Sequence, residues 1–235
     1  MQTINFDKLK VKSRDLVLDI GCGEGRHSLG LHVDREINAV GMDLSLKDMR
    51  TAKSRIKDFS ISKNNKSSCV FGAGSIHSLP FNDNLFDAVI CSEVLEHLDS
   101  LESAVSEIVR VLKPGGVLAV SVPRYLPELI CWKLNPGYSK TPGGHVRIFK
   151  QTQLKKLILK EAVSYLSFHW AHALHSPYWW LKCLFWDREK DHWLVRKYHE
   201  FLVWDLMKNP FLTRLLEMLL KPIIGKSLVM YFIKD

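Results

Sequence analysis

The stretch Asp19-Ile-Gly-Cys-Gly-Glu-Gly25 concentrates the residue types of a ligand-binding turn. Glycines at 21, 23 and 25 let the backbone turn sharply and approach a ligand more closely than a Cβ would allow. Asp43 follows at the end of the next apolar run, where a carboxylate can accept from the ribose hydroxyls of a nucleoside held at the turn. The spacing G-x-G-x-G differs from the G-x-G-x-x-G of dinucleotide sites, whose turn offers helix N–H groups to a pyrophosphate. Asp19 and Glu24 add negative charge, which repels phosphates and suits an amino group or a sulfonium. Glycines alone can serve a turn's packing. Turn, downstream acid and element order together carry the ligand reading, with Cys22 lying inside the turn.

Two further clusters could do chemistry. In Ser92-Glu-Val-Leu-Glu-His-Leu98, residues Glu93, Glu96 and His97 would share one face of a helical turn. Two carboxylates and an imidazole could hold a divalent metal. Nothing else in the chain offers an obvious further ligand, so the reading without a metal is preferred, with Glu93 near the ligand and His97 in the site wall. Gly143-Gly-His-Val-Arg147 brings His145, whose imidazole, with an ordinary pKa of about 6.5, suits a general base. Its alternative is a histidine that only bonds a backbone carbonyl. Cys91 lacks a preceding proline and reads as a buried strand thiol. His169, His172 and His175 straddle a strand end and Pro177, so they read as pocket or surface histidines and not as a metal face.

These residues need a frame that brings them together. Leu16–Ile20, Asn38–Asp43, Cys69–Phe71, Phe86–Cys91 and Val117–Val122 read as strands. Helices are expected from about Arg26, over 46–59 with Ser45 as N-cap, and over 101–112, where Lys113-Pro-Gly-Gly116 stops the last. Strands alternating with helices imply an α/β fold with a doubly wound, mostly parallel sheet. A looped stretch over 124–147, a helix over 152–161, a strand over 163–170 and a last strand over 227–234 complete the chain. Residues 171–226 are helical and aromatic, and their insertion between the last two strands makes them a lid.

The motifs Asp19–Gly25, Gly41-Met-Asp43, Leu79-Pro-Phe81 with Phe86-Asp87, and Leu112-Lys-Pro-Gly-Gly-Val-Leu118 resemble class I S-adenosylmethionine-dependent methyltransferases. They look most like the small-molecule subgroup that includes ubiquinone-type O-methyltransferases. The resemblance covers residues 14–165 and implies a seven-stranded Rossmann-like sheet, with S-adenosylmethionine as cofactor and S-adenosylhomocysteine as product. It implies that Asp19, Gly21, Cys22 and Gly23 hold the methionine end, Asp43 the ribose, and Leu44 the adenine face. Ser92 would lie beside the cofactor. Ser75, followed by Ile76, stands where such enzymes often carry an acid for the adenine amino group, and a serine makes a weaker contact there. Similar Glu-x-x-Glu-His sets bind a metal in some ubiquinone-type and small-RNA methyltransferases. A Gly-His-x-Arg turn like that at His145 covers the acceptor site in many of these enzymes.

Charge and aromatics divide the 235 residues unevenly. Residues 1–123 carry 15 Lys/Arg against 16 Asp/Glu, and residues 124–235 carry 18 against 9. All seven tryptophans lie in the second part. A single domain is expected, with a cofactor-binding core over 14–123 and acceptor-site and lid insertions over 124–150 and 171–226. The five cysteines are odd in number and lack C-x-x-C spacing, which implies free thiols; with no apolar leader, a cytoplasmic location is expected. The leading expectation is methyl transfer to a small hydrophobic or aromatic acceptor, at oxygen, with the lid also able to rest on a membrane surface. An RNA methyltransferase using the basic aromatic part is second. A cofactor-binding module without catalysis is third.

Overall fold

The computed structural model describes residues 2–59, 61–62, 65–141, 143–188 and 192–235, with the Arg188 side chain outside that set. Among the described residues seven strands are present: β1 Leu16–Ile20, β2 Asn38–Asp43, β3 Cys69–Ala73, β4 Phe86–Ser92, β5 Leu112–Pro123, β6 Val163–Ala171 and β7 Ser227–Lys234. They form one sheet in the order β3-β2-β1-β4-β5-β7-β6, parallel except for β7, which runs antiparallel to both neighbours. Alternate residues of each strand face opposite layers. Leu18, Val89, Leu118 and Phe232 pack on one side with Ile108 of α3 (Glu102–Val111) and Leu154 of α6 (Gln151–Ile158). Val17, Ile90, Ala119 and Tyr231 pack on the other with Leu31 of α1 (Arg26–Arg35) and with Phe6 and Leu9 of an N-terminal 3-10 turn.

Winding reverses between β1 and β4, and the carboxyl ends of the strands open a crevice there. Helix α2 (Leu46–Arg55) starts as expected, because the Ser45 side chain accepts from the Asp48 N–H at 3.2 Å.

Two expectations are corrected. Lys113-Pro-Gly-Gly116 does not separate helix from strand; α3 ends at Val111 and β5 begins at once. Pairing with β4 skips from Leu112 to Val117, so the four residues bulge out of the ladder and keep Pro114 from costing it a bond. The stretch 124–147 is not mainly loop, since it contains α4 (Tyr125–Leu134) and α5 (Pro136–Lys140). Asn135 starts α5 by accepting from the Gly137 N–H at 2.7 Å, with Pro136 in the first turn.

Among the described residues the lid between β6 and β7 has three α-helices: α7 (His175–Leu184), α8 (Trp193–Lys208) and α9 (Phe211–Ile224). Helices α4 and α7 pack through Cys131 and Cys183 with Trp179, Trp180 and Trp186 around them, and Trp180 Nε1 donates to the Pro127 carbonyl at 3.0 Å. All five thiols are free. Among the described residues no helix is long and apolar enough to cross a membrane.

Candidate functional site

The glycine turn leaves β1 along a path that only glycines follow comfortably. Gly21, Gly23 and Gly25 have φ of +66°, +51° and +81°. A Cβ on Gly21 would lie 2.2 Å from Val94 Cγ2, whereas one on Gly23 would meet nothing within 4 Å. The turn is tied to β2 by its own N–H groups. Gly21 donates to the Met42 carbonyl at 2.7 Å and Gly23 to Asp43 Oδ2 at 2.9 Å. Asp43 Oδ1 accepts from the Ser45 N–H at 2.9 Å. The carboxylate is therefore fixed, and each oxygen keeps a lone pair for a further donor. Beside it lies a cavity of about 510 Å³, with Gly21, Asp43, Leu44, Ile76, Glu93 and His97 in its wall. Leu44 is 72% exposed at its edge, an apolar surface for a flat ring.

Asp19 is buried at the back of the turn. Its Oδ2 accepts from the Ser28 N–H at 3.1 Å and from the Ser28 hydroxyl at 2.7 Å, while Oδ1 has no hydrogen-bond partner. Burial pushes its pKa up to about 6, with Asp43 adding to the rise and Ser28 and Arg26 opposing it. An orphaned buried carboxylate oxygen next to an open glycine cradle fits an amino-acid-bearing nucleoside. Its ammonium would meet Asp19, its ribose Asp43 and its base Leu44.

Besides Asp19, which is buried behind the turn and not in the cavity wall, three residues expected at the cofactor do not reach the cavity with their side chains. Cys22 packs on Leu29 and Phe71, leaving only its backbone in the turn. Ser75 Oγ accepts from the His77 N–H at 3.2 Å, so this loop presents Gly74 and Ile76 to the cavity. Ser92 is buried and shares a hydrogen bond of 2.8 Å with the Ser121 hydroxyl. Ser121 in turn donates to Glu93 Oε1 at 2.9 Å, so a hydroxyl relay ends on a cavity wall.

Glu93, Glu96 and His97 do not share a helical face as the spacing suggests. The 3-10 turn covers only Leu95–His97, and Glu93 stands before it at φ +57°. That left-handed conformation is uncommon for glutamate and marks a backbone held by its surroundings, here by the Glu93 N–H donating to the Ser121 carbonyl at 2.9 Å. His145 takes the third place beside Glu96 and His97: ligand atoms of Glu96, His97 and His145 lie within 4.8 Å of one another. Glu96 is fully buried and neither carboxylate oxygen has a hydrogen-bond partner. Burial, reinforced by Glu93, holds its pKa well above the ordinary carboxylate value. Among the described residues these three side chains are the ones that could take a divalent cation. His97 Nδ1 lies 3.1 Å from the Gly144 carbonyl and so donates to it, which leaves Nε2 with its lone pair. Burial holds His97 below its usual pKa and thus neutral.

His145 itself is oriented from behind. Its Nδ1 lies 2.5 Å from Glu128 Oε1, and Glu128 is buried. Burial alone would raise the Glu128 pKa, but the His145 hydrogen bond and the Lys226 charge together hold it below the usual value. An anionic Glu128 selects the tautomer with its proton on Nδ1 and leaves Nε2 as acceptor. His145 lines a second cavity of about 300 Å³ with Tyr138, Thr141, Trp179, Lys182 and Trp186, and Gly143 belongs to the walls of both cavities. Glu128, Tyr138 and Ser121 are functional candidates that reading the sequence missed. Glu128 had a visible signal: it is the one acid in the otherwise apolar and basic Tyr125–Leu134. His169, His172 and His175 lie away from this site, lining a separate cavity of about 520 Å³.

The family model described as "Methyltransferase domain" matches residues 18–120. Over these residues the chain is similar to that domain family. The probable methyltransferase ltbC of Aspergillus luteorubrus is 37% identical over 114 residues, covering 46% of this chain and 40% of that protein. Demethylmenaquinone methyltransferase of Lactobacillus johnsonii is 31% identical over 154 residues, 62% of each chain. The sterol 24-C-methyltransferase erg6 of Schizosaccharomyces pombe is 37% identical over 113 residues, 48% of this chain and 29% of that one. The match thus spans less than two thirds of the length of these relatives. Among solved structures, the [4+2]-cyclase SpnF has a TM-score of 0.64 at 20% identity, covering 97% of this chain and 78% of that one. A putative methyltransferase from Bacillus halodurans has 0.63 at 20%, covering 97% and 95%. At such identities the likeness concerns the fold. The matched stretch ends inside β5, so Glu128, Tyr138, His145, Trp179 and Trp186 all lie beyond it.

Proposed function

We propose that the chain moves a methyl group from S-adenosylmethionine to a hydroxyl of a small aromatic or apolar acceptor. One observation carries the reading: the cleft at the glycine turn and the aromatic cavity share the Gly143 wall, and His145, with Glu128 behind it, stands on the acceptor side. When bound, the cofactor supplies a methyl on a sulfonium, already activated toward nucleophiles. Asp19 faces the ammonium and Asp43 the ribose, which positions the donor. Tyr138, Trp179 and Trp186 give an acceptor ring flat apolar walls and exclude water. Holding acceptor and methyl in line supplies most of the acceleration. His145 Nε2 takes the hydroxyl proton as the oxygen–carbon bond forms and the sulfur–carbon bond breaks, and Glu128 stabilises the resulting imidazolium. Relatives named for a sterol and for demethylmenaquinone favour a lipophilic acceptor.

Incubation with methyl-labelled S-adenosylmethionine and a panel of phenols, enols, amines and unsaturated apolar compounds tests it. The expected result is labelled ether from a phenol or enol, lost in His145→Gln. Transfer to nitrogen or carbon in preference to every hydroxyl would overturn the choice of atom. No stabilisation of the chain by S-adenosylhomocysteine at about 100 times its expected dissociation constant, where about 2.7 kcal/mol should be gained, would overturn the cofactor assignment.

A further inference from the structure

Helix α9 is turned inside out. Phe211, Leu215, Leu219 and Ile223 recur every fourth residue, flanked by Leu212 and Met218, and make a broad apolar stripe. In a helix packed on its own domain that stripe faces the core. Here Phe211, Leu212, Met218, Leu219 and Ile223 are each 58–74% exposed. The opposite side, with Thr213, Glu217, Leu220 and Ile224, is the one docked. Thr213 is buried, and Glu217 accepts from the backbone N–H groups of Ala173 and Leu174 at 2.9 Å each. The Ile224 carbonyl accepts from the Ser176 hydroxyl at 2.6 Å, and Arg124 donates to the Lys221 and Pro222 carbonyls at 3.2 and 2.8 Å. Hydrogen bonds thus hold α9 in the orientation that presents its apolar side to solvent. The end of α8 extends the surface, with Trp204, Leu206 and Met207 exposed next to Phe211.

The charges sort in the same sense. Over residues 203–226 the two acids, Asp205 and Glu217, turn inward and line the separate cavity beneath the helices. Lys208 and Arg214 are exposed at the border of the apolar surface. Apolar side chains with a cationic border and inward-turned acids complement a lipid bilayer that carries anionic headgroups.

We infer that α9 and the end of α8 are a peripheral docking surface for an anionic lipid bilayer. The apolar stripe enters the headgroup boundary, and Lys208 and Arg214 meet the lipid phosphates. The inference does not depend on methyl transfer, since it concerns binding without cofactor or acceptor.

The test is co-sedimentation of the full chain with phosphatidylcholine vesicles, with and without about one-third phosphatidylglycerol, at several salt concentrations. Two variants accompany it: Phe211→Gln/Leu219→Gln/Ile223→Gln and Lys208→Gln/Arg214→Gln. All five side chains are solvent-facing, and retained thermal unfolding confirms folded variants. The expected result is binding to the anionic vesicles that weakens with salt. It falls at least tenfold in the apolar variant and several-fold in the charge variant, and the tryptophan emission shifts to the blue on binding. Absence of binding by the unmodified chain, or equal binding by the apolar variant, would overturn the inference. So would a dimer in light scattering that the apolar variant turns into monomer, because the surface would then belong to a second copy.

Discussion

The proposed seating of the ammonium at Asp19 couples ligand binding to proton release. In the ligand-free protein burial raises its pKa to about 6, so at pH 5 it is about nine-tenths protonated and at pH 7 about one-tenth. An ammonium seated at its free Oδ1 requires the carboxylate. Affinity for S-adenosylhomocysteine, which carries that ammonium and is chemically stable, should therefore be flat above pH 7 and drop about tenfold between pH 7 and pH 5. Stability moves the opposite way. The folded pKa lies above the ordinary 3.8, so the folded chain holds the proton more tightly than the unfolded one. That stabilising share is complete below about pH 4 and is lost as pH rises through about 6, leaving the ligand-free protein about 3 kcal/mol worse off at pH 7 than a neutral group would. Asp19→Asn keeps the shape and removes the charge. It should abolish both pH dependences, raise ligand-free stability at pH 7, and weaken the ligand about 10- to 100-fold through loss of one charge-assisted bond. Titration calorimetry from pH 5 to 8, in two buffers of different ionisation enthalpy, measures affinity and released protons together; 5′-methylthioadenosine, which lacks the ammonium, is the control. An equal pH slope in Asp19→Asn, or the same slope for the control ligand, would refute the reasoning.

Other expectations follow from the same geometry. Glu128→Gln should lower kcat about 100-fold or more while changing S-adenosylhomocysteine affinity little, because only the orientation and protonation of His145 are lost; an unchanged kcat would remove the dyad from the mechanism. Gly21→Ala forces a Cβ to 2.2 Å from Val94 at φ +66° and should cost about 1–3 kcal/mol in urea unfolding, whereas Gly72→Ala, with nothing within 4 Å, should stay within about 0.5 kcal/mol. Asp43→Ala frees the Gly23 and Ser45 N–H groups and removes the ribose acceptor, so calorimetry should show at least a tenfold loss of cofactor affinity.

What the residues alone determined was local. Asp19 to Gly25 announced a tight turn, because three glycines in five positions are costly unless a left-handed path is needed, and all three adopt it. Alternating apolar runs and capping residues such as Ser45 identified the strands, the sheet class and the inserted helices, since those signals act within a few neighbouring residues.

Tertiary structure decided everything that depends on distant partners. Glu96 reads as one of a helical trio with Glu93, yet Ser121 holds the Glu93 backbone in another conformation and His145 takes the vacated place. Glu128 meets its partner only because α4 carries it to 2.5 Å from a histidine seventeen residues on. The side on which α9 buries itself ran against its own periodicity. Amphipathic spacing shows that a helix has an apolar stripe, but which side meets the protein depends on what lies opposite, here the free N–H groups of Ala173 and Leu174 that Glu217 reaches.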